Sequence, residues 1–571
     1  MPLLLLCGCE DLLVRDPQDR LTPESFFKSE TECELYTNDF YTLLPATSIY
    51  NETADVIVKN TLSDEVSGLR TVPSTSGSWN WDKLRDINFF LEHSEQCENI
   101  NVRNEYDGLA KFFRAYFYFE KVKRYGDVPW VDHTIAADSE ELYKGRDDRK
   151  VVMAHMLEDI DFAIKYLPSD KSVYRVNRWT ALALKARIFL FEGTFRKYHG
   201  LGDWEECLNE AVKAAEEFIA NAPYSLYTAG KTPYRDLFSS VNANSQEIIL
   251  ARAYNAGLGL THDVNNYFTA TSMGKSGMLK DVVNMYLMKD GSRFTDREGY
   301  NELSFVEEAK NRDGRLSQTI CTPGYVRVGE TATTAPDMAA TMTGYQIIKY
   351  VGESKYDAYG SSETDLPVFR TAEVYLAYAE AKAELGTLTQ SDLDKTVNLL
   401  RSRAGVASLN MAAANADPDP YLTSAETGYA NVQGSNQGVI LEIRRERTVE
   451  LMSEGHRYWD IMRWKEGKRF ERRFIGMYFE GAGDYDLDAD GKVDFCIYNG
   501  DAPEAVSGVV YSSMKDLALT EGTHGNIVCH GTIERTWQEG RDYLYPIPTD
   551  DIVLTGGVVK QNPEWKDGTD F

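Results

Sequence analysis

The sequence has little positive charge, no long hydrophobic run and no paired cysteine motif. It contains 61 Lys and Arg against 89 Asp and Glu, a formal net charge of −28. Such a chain repels nucleic-acid phosphates and anionic lipid surfaces, so we expect neither as a partner. Its eight cysteines include no Cys-x-x-Cys pair, which argues against a zinc or thioredoxin-type site, and their scatter indicates buried thiols. No run is long and apolar enough to cross a bilayer.

Common enzyme motifs are also missing. Gly274-Lys275-Ser276 matches the end of a phosphate-binding loop, but Thr269 occupies the position of its first glycine. The sequence has no His-Glu-x-x-His and no Gly-x-Ser-x-Gly motif. A carboxylate pair for glycoside hydrolysis can be hidden among the 89 acidic residues, so a glycan-active enzyme stays open as an alternative.

Apolar residues recur at helical spacing through most of the chain. The pattern predicts helices near residues 25–44, 79–96, 105–124, 149–167, 177–198, 203–221, 368–386, 390–404, 436–454 and 457–466. Several of them form successive pairs of about 34 residues, the length of a tetratricopeptide repeat. Small residues such as Ala186, Gly193 and Ala211 would let paired helices approach closely. We therefore predict a mainly α fold on a tetratricopeptide-like scaffold, whose stacked helix pairs bury each other's apolar faces.

The composition changes in residues 222–367, where Gly, Thr, Ser and Tyr are frequent. Short runs at 247–250 and 345–350 have the residue types of β-strands. We divide the chain into an N-terminal helical region (25–221), a loop-rich insertion (222–367) and a C-terminal region (368–571). The insertion is expected to pack on one side of the helical scaffold, where binding loops usually lie.

Residues 440–464 form the most informative segment. They predict a charged amphipathic helix, a break at Gly455-His456 and a second short helix rich in aromatic residues. Offsets of three and four residues pair the charges of Arg444, Arg445 and Arg447 with those of Glu446, Glu450 and Glu454. We interpret this pattern as an ion-pair network that fastens two helices, rather than as an active site. Arg447 is therefore expected to have a structural role.

This segment also resembles the signature of the SusD-like (RagB/SusD) family, and two further motifs match in the right order. Met452-Ser453 departs from the small-then-aromatic pair that is usual in the family. The matching residues are Glu450-Leu451, Glu454-Gly455-His456-Arg457, Asp460, Arg463-Trp464, Leu544-Tyr545-Pro546-Ile547-Pro548, Gln561-Asn562-Pro563-Glu564-Trp565, Phe113-Arg114-Ala115-Tyr116-Phe117-Tyr118-Phe119 and Tyr125-Gly126-Asp127-Val128-Pro129. Together they extend over almost the whole chain.

The resemblance implies a function that spacing and composition alone do not. SusD-like proteins are non-catalytic outer-membrane lipoproteins that bind nutrients, mostly glycans, and pass them to a SusC-type TonB-dependent transporter. Their fold is also built on tetratricopeptide-type helix pairs. Some members serve peptide uptake, so the ligand class rests on the commoner case. Two other hypotheses stay open: a surface glycan-active enzyme, and a tetratricopeptide-type scaffold that binds only protein.

The first residues resemble a lipoprotein signal. Leu6-Cys7-Gly8-Cys9 ends an apolar run in the manner of a lipobox, and the acidic residues after Cys9 resemble a signal for export to the cell surface. We read residues 1–8 as a partial signal, Cys9 as the acylated residue and 9–24 as a tether. No basic segment precedes the apolar run, so we expect Met1 to be an internal or misassigned start. The protein would then be anchored to the outer membrane by lipid only.

The predicted ligand-binding surface lies at the start of one helix. Trp79 and Trp81 open the helix that carries Arg85 and Asn88, and Asp64 belongs to the polar loop before it. Aromatic rings stack on the apolar faces of sugars while short polar side chains bond their hydroxyl groups. In SusD-like proteins this region lines the glycan-binding face. The opposing interpretation places Trp81 in the core and makes Trp79 a hydrophobic staple. The next candidates are Tyr267, Tyr300 and Tyr325.

A loop near the C-terminus has the spacing of a calcium site. Its acidic residues occupy loop positions 1, 3, 5 and 9, which are Asp486, Asp488, Asp490 and Asp494. Gly491 stands at position 6, as in an EF-hand loop. Ile497 occupies position 12, where a bidentate Glu is usual, and no helix pair is predicted around the loop. An acidic β-turn is the alternative. Calcium is the one cofactor that the sequence suggests, and we otherwise expect none.

Overall fold

Helices dominate the computed structural model, which describes residues 26–566 and Gly568. The predicted signal (1–8), Cys9 and the tether (9–24) lie outside the described residues. The helices α1 to α20, in chain order, are Glu30–Thr37, Asp64–Ser67, Asp82–His93, Ile100–Tyr125, Arg149–Tyr166, Arg178–His199, Trp204–Asn221, Pro233–Ser239, Val264–Thr269, Lys280–Met285, Phe305–Glu308, Leu316–Thr319, Thr371–Glu384, Gln390–Asp394, Val397–Ala404, Met411–Ala416, Pro420–Thr423, Gln437–Glu450, Arg457–Trp464 and Thr549–Leu554. The mainly α prediction is confirmed.

Strands are short and form four small sheets. Strands β1 to β9 are Ile57–Val58, Ile248–Arg252, Gly277–Met278, Leu366–Arg370, Phe474–Phe479, Gly483–Tyr485, Phe495–Tyr498, Val510–Ser513 and Gly525–Cys529. The pairs β1–β3, β2–β4, β5–β9 and β6–β7 are antiparallel, and β8 adds to β7 in parallel. Short 3-10 helices also occur, among them Asn38–Leu43, Gly77–Trp79, Ser94–Gln96, Glu140–Tyr143 and Gly467–Glu471.

Helical hairpins form the scaffold, as the spacing of small residues predicts. Helix α4 packs against α5, and α6 packs against α7, with α13 beside both members of the second pair. At the α6–α7 crossing, a Cβ on Gly193 would lie 2.6 Å from the side chain of Leu208. A larger residue would force these helices apart, so this glycine permits their close approach.

Three local predictions differ from the structure. The helix predicted at 390–404 is interrupted between α14 and α15, where Thr396 leaves helical geometry with φ of −133° and ψ of −91°. Residues 345–350 form isolated bridges at Gln346 and Ile347 instead of a strand. The predicted helix 25–44 is α1 followed by the 3-10 turn Asn38–Leu43.

The proposed division at residue 367 falls inside a strand. β4 runs from Leu366 to Arg370 and pairs with β2, in register from Ile248↔Arg370 to Arg252↔Leu366. β3 pairs with β1 in the N-terminal region. Residues 222–367 therefore share sheets with both neighbouring regions, and the three-part division stays a prediction. Within residues 26–566, no helix is long and apolar enough to cross a membrane.

The charges of α18 are buried rather than solvated. Arg444, Arg445, Glu446, Arg447 and Glu450 all lie in the interior. The expected pairing within the helix is largely wrong, since most partners belong to other segments. Buried charges need partners with several well-aligned hydrogen bonds, and one helical face cannot supply them all.

The carboxylates of α18 bind arginines from distant parts of the chain. Glu450 accepts from Arg315 (3.0 Å), Arg370 (2.7 Å) and Arg403. Glu446 accepts from Arg315 (2.9 Å), and also from Arg401 (2.5 Å). Burial alone would raise the pKa of Glu450, but the three arginines hold it well below its usual range. These bonds join α18 to α15, α12 and the end of β4.

A second part of the network joins α18 to α19 and α13. Nε of Arg447 donates to Asp460 (2.8 Å), and Nη2 of Arg463 lies 2.8 Å from the same carboxylate. Arg463 also pairs with Glu380 on α13. Burial acts to raise the pKa of Glu380, but Arg463 and Arg447 outweigh it and lower the pKa to about 2. Gly455, with φ of +77°, breaks the chain between the two helices as predicted.

We predict that Arg447→Ala lowers stability and yield rather than selectively abolishing glycan binding. Arg447 is only 4% exposed, and removing one partner of a buried ion pair typically costs about 3–5 kcal/mol. Chemical denaturation measures the loss, with Arg473→Ala as the control because Arg473 is exposed. An unchanged melting temperature combined with lost glycan binding would contradict the structural role.

Candidate functional site

A cleft of about 340 Å³ lies beside the N-terminal end of α3. The 3-10 turn Gly77–Trp79 and α3 form one wall, and the segment 129–135 with the 3-10 turn Glu140–Tyr143 forms another. Helix α20 contributes Asp551 from near the end of the chain. The structure brings four of the five predicted ligand-binding residues to this cleft: Trp79, Trp81, Arg85 and Asn88.

The two tryptophans have different surroundings. Trp79 is 5% exposed, and its ring packs edge-to-face on Trp81 (5.3 Å) and Tyr125 (4.6 Å). Its indole bonds the carboxyl of Asp551, whose pKa is raised by burial and by neighbouring Asp550. Trp81 is half-buried at the N-cap of α3. Trp79 therefore supports the site, while Trp81 offers ring surface to the cleft.

Lys121 of α4 holds the tryptophan turn from behind. Its ammonium donates to the carbonyls of Ser78 and Asn80, both at 2.6 Å, and lies 5.0 Å from the centre of the Trp81 ring. Burial, aided by Arg124, lowers the pKa of Lys121 to about 7. These contacts fix the orientation of Trp81 before any ligand arrives, which reduces the entropy lost on binding.

Asn88 holds one wall of the cleft in place. It is fully buried, and Nδ2 donates to the carbonyls of Val131 (3.1 Å) and His133 (3.2 Å). Its Oδ1 accepts from Nη1 of Arg114 (3.1 Å), which in turn binds Asp159. All of its polar atoms are thus engaged by the protein, so Asn88 positions the 131–133 wall and has no free group for a ligand.

Arg85 is the available cation of the cleft, and Asp64 lies elsewhere. Arg85 is exposed, and its side chain has no ion pair or hydrogen bond within residues 26–566. Asp64 does not line the cleft, which corrects its inclusion in the predicted surface. Its helix α2 is held against the C-terminal segment, where Tyr545 donates to Glu65 (3.1 Å) and Gly68 touches Thr536. Proximity in sequence did not bring Asp64 to the tryptophans.

Several cleft residues were missed because they come from distant segments. His133 lies between Asp132 (3.0 Å) and Glu141 (2.8 Å), and these hydrogen bonds raise the pKa of its imidazole. Leu142 is 46% exposed and lines the cleft. The adjacent pair Leu142-Tyr143, apolar within an acidic loop, was the one available signal. Nothing in the sequence pointed to Asp551.

The alternative aromatic candidates do not line this cleft. Tyr325 is buried. Tyr267 is half-buried and donates to Asn51 (2.8 Å). Tyr300 packs edge-to-face on Phe294.

The predicted calcium loop connects β6 and β7. One carboxylate oxygen each from Asp486, Asp488 and Asp494 lies within 4.8 Å of the others. Oδ2 of Asp490 accepts a hydrogen bond from Nζ of Lys492 (2.6 Å), and Asp490 lies outside this group. Two strands flank the loop, so it has no EF-hand helix pair, as expected. Burial and the neighbouring aspartates raise the pKa of Asp494.

Stacked helical hairpins and an open aromatic cleft define a helical-repeat protein with a ligand-binding surface. A sequence model of the SusD family matches residues 244–565, more than half of the chain. A second model, described as "Starch-binding associating with outer membrane", matches residues 50–190. The protein therefore belongs to the SusD family, as its motifs predict.

Curated relatives and solved structures agree with this assignment. The chain is 24% identical to the SusD-like protein P25 of Formosa agariphila, over 80% of this chain and 87% of that protein. A SusD-like protein of Bacteroides fragilis has the same fold, with a TM-score of 0.70 at 22% identity, over 96% of this chain and 100% of the other. A second Bacteroides fragilis structure, titled a SusD-like carbohydrate binding protein, has a TM-score of 0.68 at 19% identity, over 93% and 99%.

Proposed function

We propose that the protein captures glycans at the cell surface without cleaving them and delivers them to a TonB-dependent outer-membrane transporter. The observation that carries the proposal is the cleft itself. An aromatic ring, an unpaired cation and polar side chains converge there, although they come from segments as far apart as Trp81 and Asp551.

The chemistry of the cleft suits a sugar. The ring of Trp81 can stack on the C–H face of a pyranose, and Leu142 and Val131 provide further apolar surface. Arg85 and Lys144 on the rim can donate to hydroxyl oxygens. Each such bond replaces a bond to water and adds little net free energy, so we expect modest affinity.

The family assignment supports this proposal. One matching family description names starch binding and association with the outer membrane. A structural neighbour is titled a carbohydrate binding protein. Neither identifies the ligand of this chain, so an array of glycans and peptides is the first experiment.

We predict that Trp81→Ala weakens binding of an array-identified glycan by about 1–3 kcal/mol, by analogy with aromatic stacking on nucleic-acid bases. Isothermal titration calorimetry measures the change. Trp204→Ala is a matched control, because Trp204 is also half-buried but does not line the cleft. Trp79→Ala should instead lower the melting temperature, since its ring is buried.

Full affinity in the Trp81→Ala protein would place the binding surface elsewhere.

The same samples discriminate between the rival functions. Release of smaller sugars from the glycan would favour a surface enzyme, for which Asp551 with its raised pKa is the first candidate acid. Co-purification of a transporter without any glycan affinity would favour a protein-binding scaffold.

We infer that the protein is held at the outer membrane by lipid on Cys9. The support is Leu6-Cys7-Gly8-Cys9, which resembles a lipobox, together with the family description. In a chain with a complete export signal, Cys9→Ala should release the protein from the membrane fraction, and Cys7→Ala should not. Continued membrane retention of the Cys9→Ala protein in cells without the transporter would contradict the anchor.

Calcium binding at the 486–494 loop stays a prediction. Calcium ligands lie about 2.3–2.6 Å from the ion, so carboxylate oxygens within 4.8 Å of one another can share it. Without a bidentate Glu we expect weak binding, in the range of about 0.1–1 mM. Calorimetric titration with calcium chloride should give heat that Asp488→Asn abolishes and Asp501→Asn retains, because Asp501 lies outside the group. No heat at millimolar calcium would exclude the site.

A further inference from the structure

A second cavity, of about 190 Å³, lies between α4, α6, α13 and α19. The family signature forms one wall through Glu454, His456, Trp459 and Asp460. The exposed Ser48 also lines the cavity, which therefore reaches the surface beside it. The cavity and the aromatic cleft share no lining residue, so a ligand in the cavity is independent of the glycan proposed for the cleft.

Charged side chains of both signs line this cavity. Its charged lining residues are the cations Lys123, Arg124, Arg187, Arg447 and Arg463 and the anions Glu120, Glu373, Glu454 and Asp460. Glu120 serves both Lys123 (2.6 Å) and Arg124 (2.7 Å). Glu454 forms ion pairs with two cations that do not line the cavity, Lys349 (2.6 Å) and Arg370 (2.7 Å). Glu380, outside the lining, pairs with Arg463 and lies 3.8 Å from Nε of Arg447. The charges are therefore nearly balanced, and the case for an anion rests on unused donors rather than on net charge.

Three guanidinium groups here retain unused donors. Arg447 bonds Asp460 only through Nε, and its buried Nη1 has no partner in the described part of the chain. Arg187 donates to Glu373 and to the carbonyl of Val368 through Nε and Nη2, and its Nη1 has no hydrogen bond in the described part of the chain. Arg124 uses only Nη1, for Glu120. A buried donor without a partner is costly, so Nη1 of Arg447 indicates a missing acceptor, and the unused atoms of Arg187 and Arg124 could bond the same group.

The titration of neighbouring groups agrees with cationic surroundings. Burial, helped by Arg124 and Arg187, lowers the pKa of Lys123 to about 8 although Glu120 opposes it. Burial together with Arg187 and Arg447 holds the pKa of His456 well below its usual range. The imidazole is therefore neutral, and it can donate one hydrogen bond to an acceptor in the cavity.

We propose that this cavity binds a small oxyanion, a carboxylate or a phosphate, between Arg124, Arg187 and Arg447. Guanidinium groups bind such anions through two parallel N–H bonds, and their hydrogen bonds strengthen away from water. One water molecule needs about 10–15 Å³ of cavity volume, so there is room for several heavy atoms beyond the anionic group itself. The ring of Trp459 can cover the apolar part of an acidic sugar.

Calorimetry with three probes tests the proposal: inorganic phosphate, glucuronate and glucose, at constant ionic strength. Glucose has the size of glucuronate without its charge. We expect glucuronate or phosphate to bind and glucose to bind at least tenfold more weakly. Binding of phosphate without glucuronate would identify a free inorganic anion, and binding of glucuronate would identify an acidic sugar.

Arg124→Gln should weaken anion binding at least tenfold, because it removes the Nε and Nη2 donors that Arg124 does not use within the protein. Glu120 keeps Lys123 as its partner, so this variant should fold. Arg447→Lys, checked by circular dichroism, keeps the charge and removes the Nη donors, and it should also weaken binding. Arg473→Gln, at an exposed arginine outside the cavity, should bind as the unaltered protein does. Unchanged affinity in the two cavity variants, equal binding of glucose and glucuronate, or no anion binding would overturn the proposal.

Discussion

The buried pairing of α18 carboxylates with arginines is the interaction on which the rest of the structure depends. Glu450 alone binds Arg315, Arg370 and Arg403, which come from three separate segments. Each partner loses its water on burial, so a missing member would strand the others without compensation. The network thereby specifies where β4, α12 and α15 meet α18, and it makes that arrangement hard to replace with another.

The same network places the surfaces that can bind ligands. Through Asp460 and Arg463 it fixes α19, whose residues form one wall of the oxyanion cavity. Helix α4 joins this cavity to the aromatic cleft. Lys121 supports Trp81 on one side, whereas Lys123 and Arg124 face the cavity on the other. Two chemically different surfaces are thus built on one rigid helix, which suits binding sites better than mobile loops do.

Local patterns predicted much of the fold and part of the candidate site. Helices such as α5, α6 and α7 were predicted to within about two residues, because their apolar spacing is a property of the helix itself. Trp79, Trp81, Arg85 and Asn88 lie within one turn-and-helix unit, so their placement in one cleft followed from local structure. The break at Thr396 was missed because the helical spacing of Leu393, Val397 and Leu400 continues across it.

The sequence by itself determined the helical scaffold and the family, since both rest on patterns along the chain. Only the tertiary structure decided which of the predicted residues have side-chain groups open to the cleft. Trp79 is buried because its ring packs against Tyr125. Asn88 is engaged by hydrogen bonds to the 131–133 wall. Asp64 lies outside the cleft because its helix packs against the C-terminal segment. The partners of the α18 charges were also beyond the sequence, because a buried ion takes its counter-ion from whichever segment folds against it.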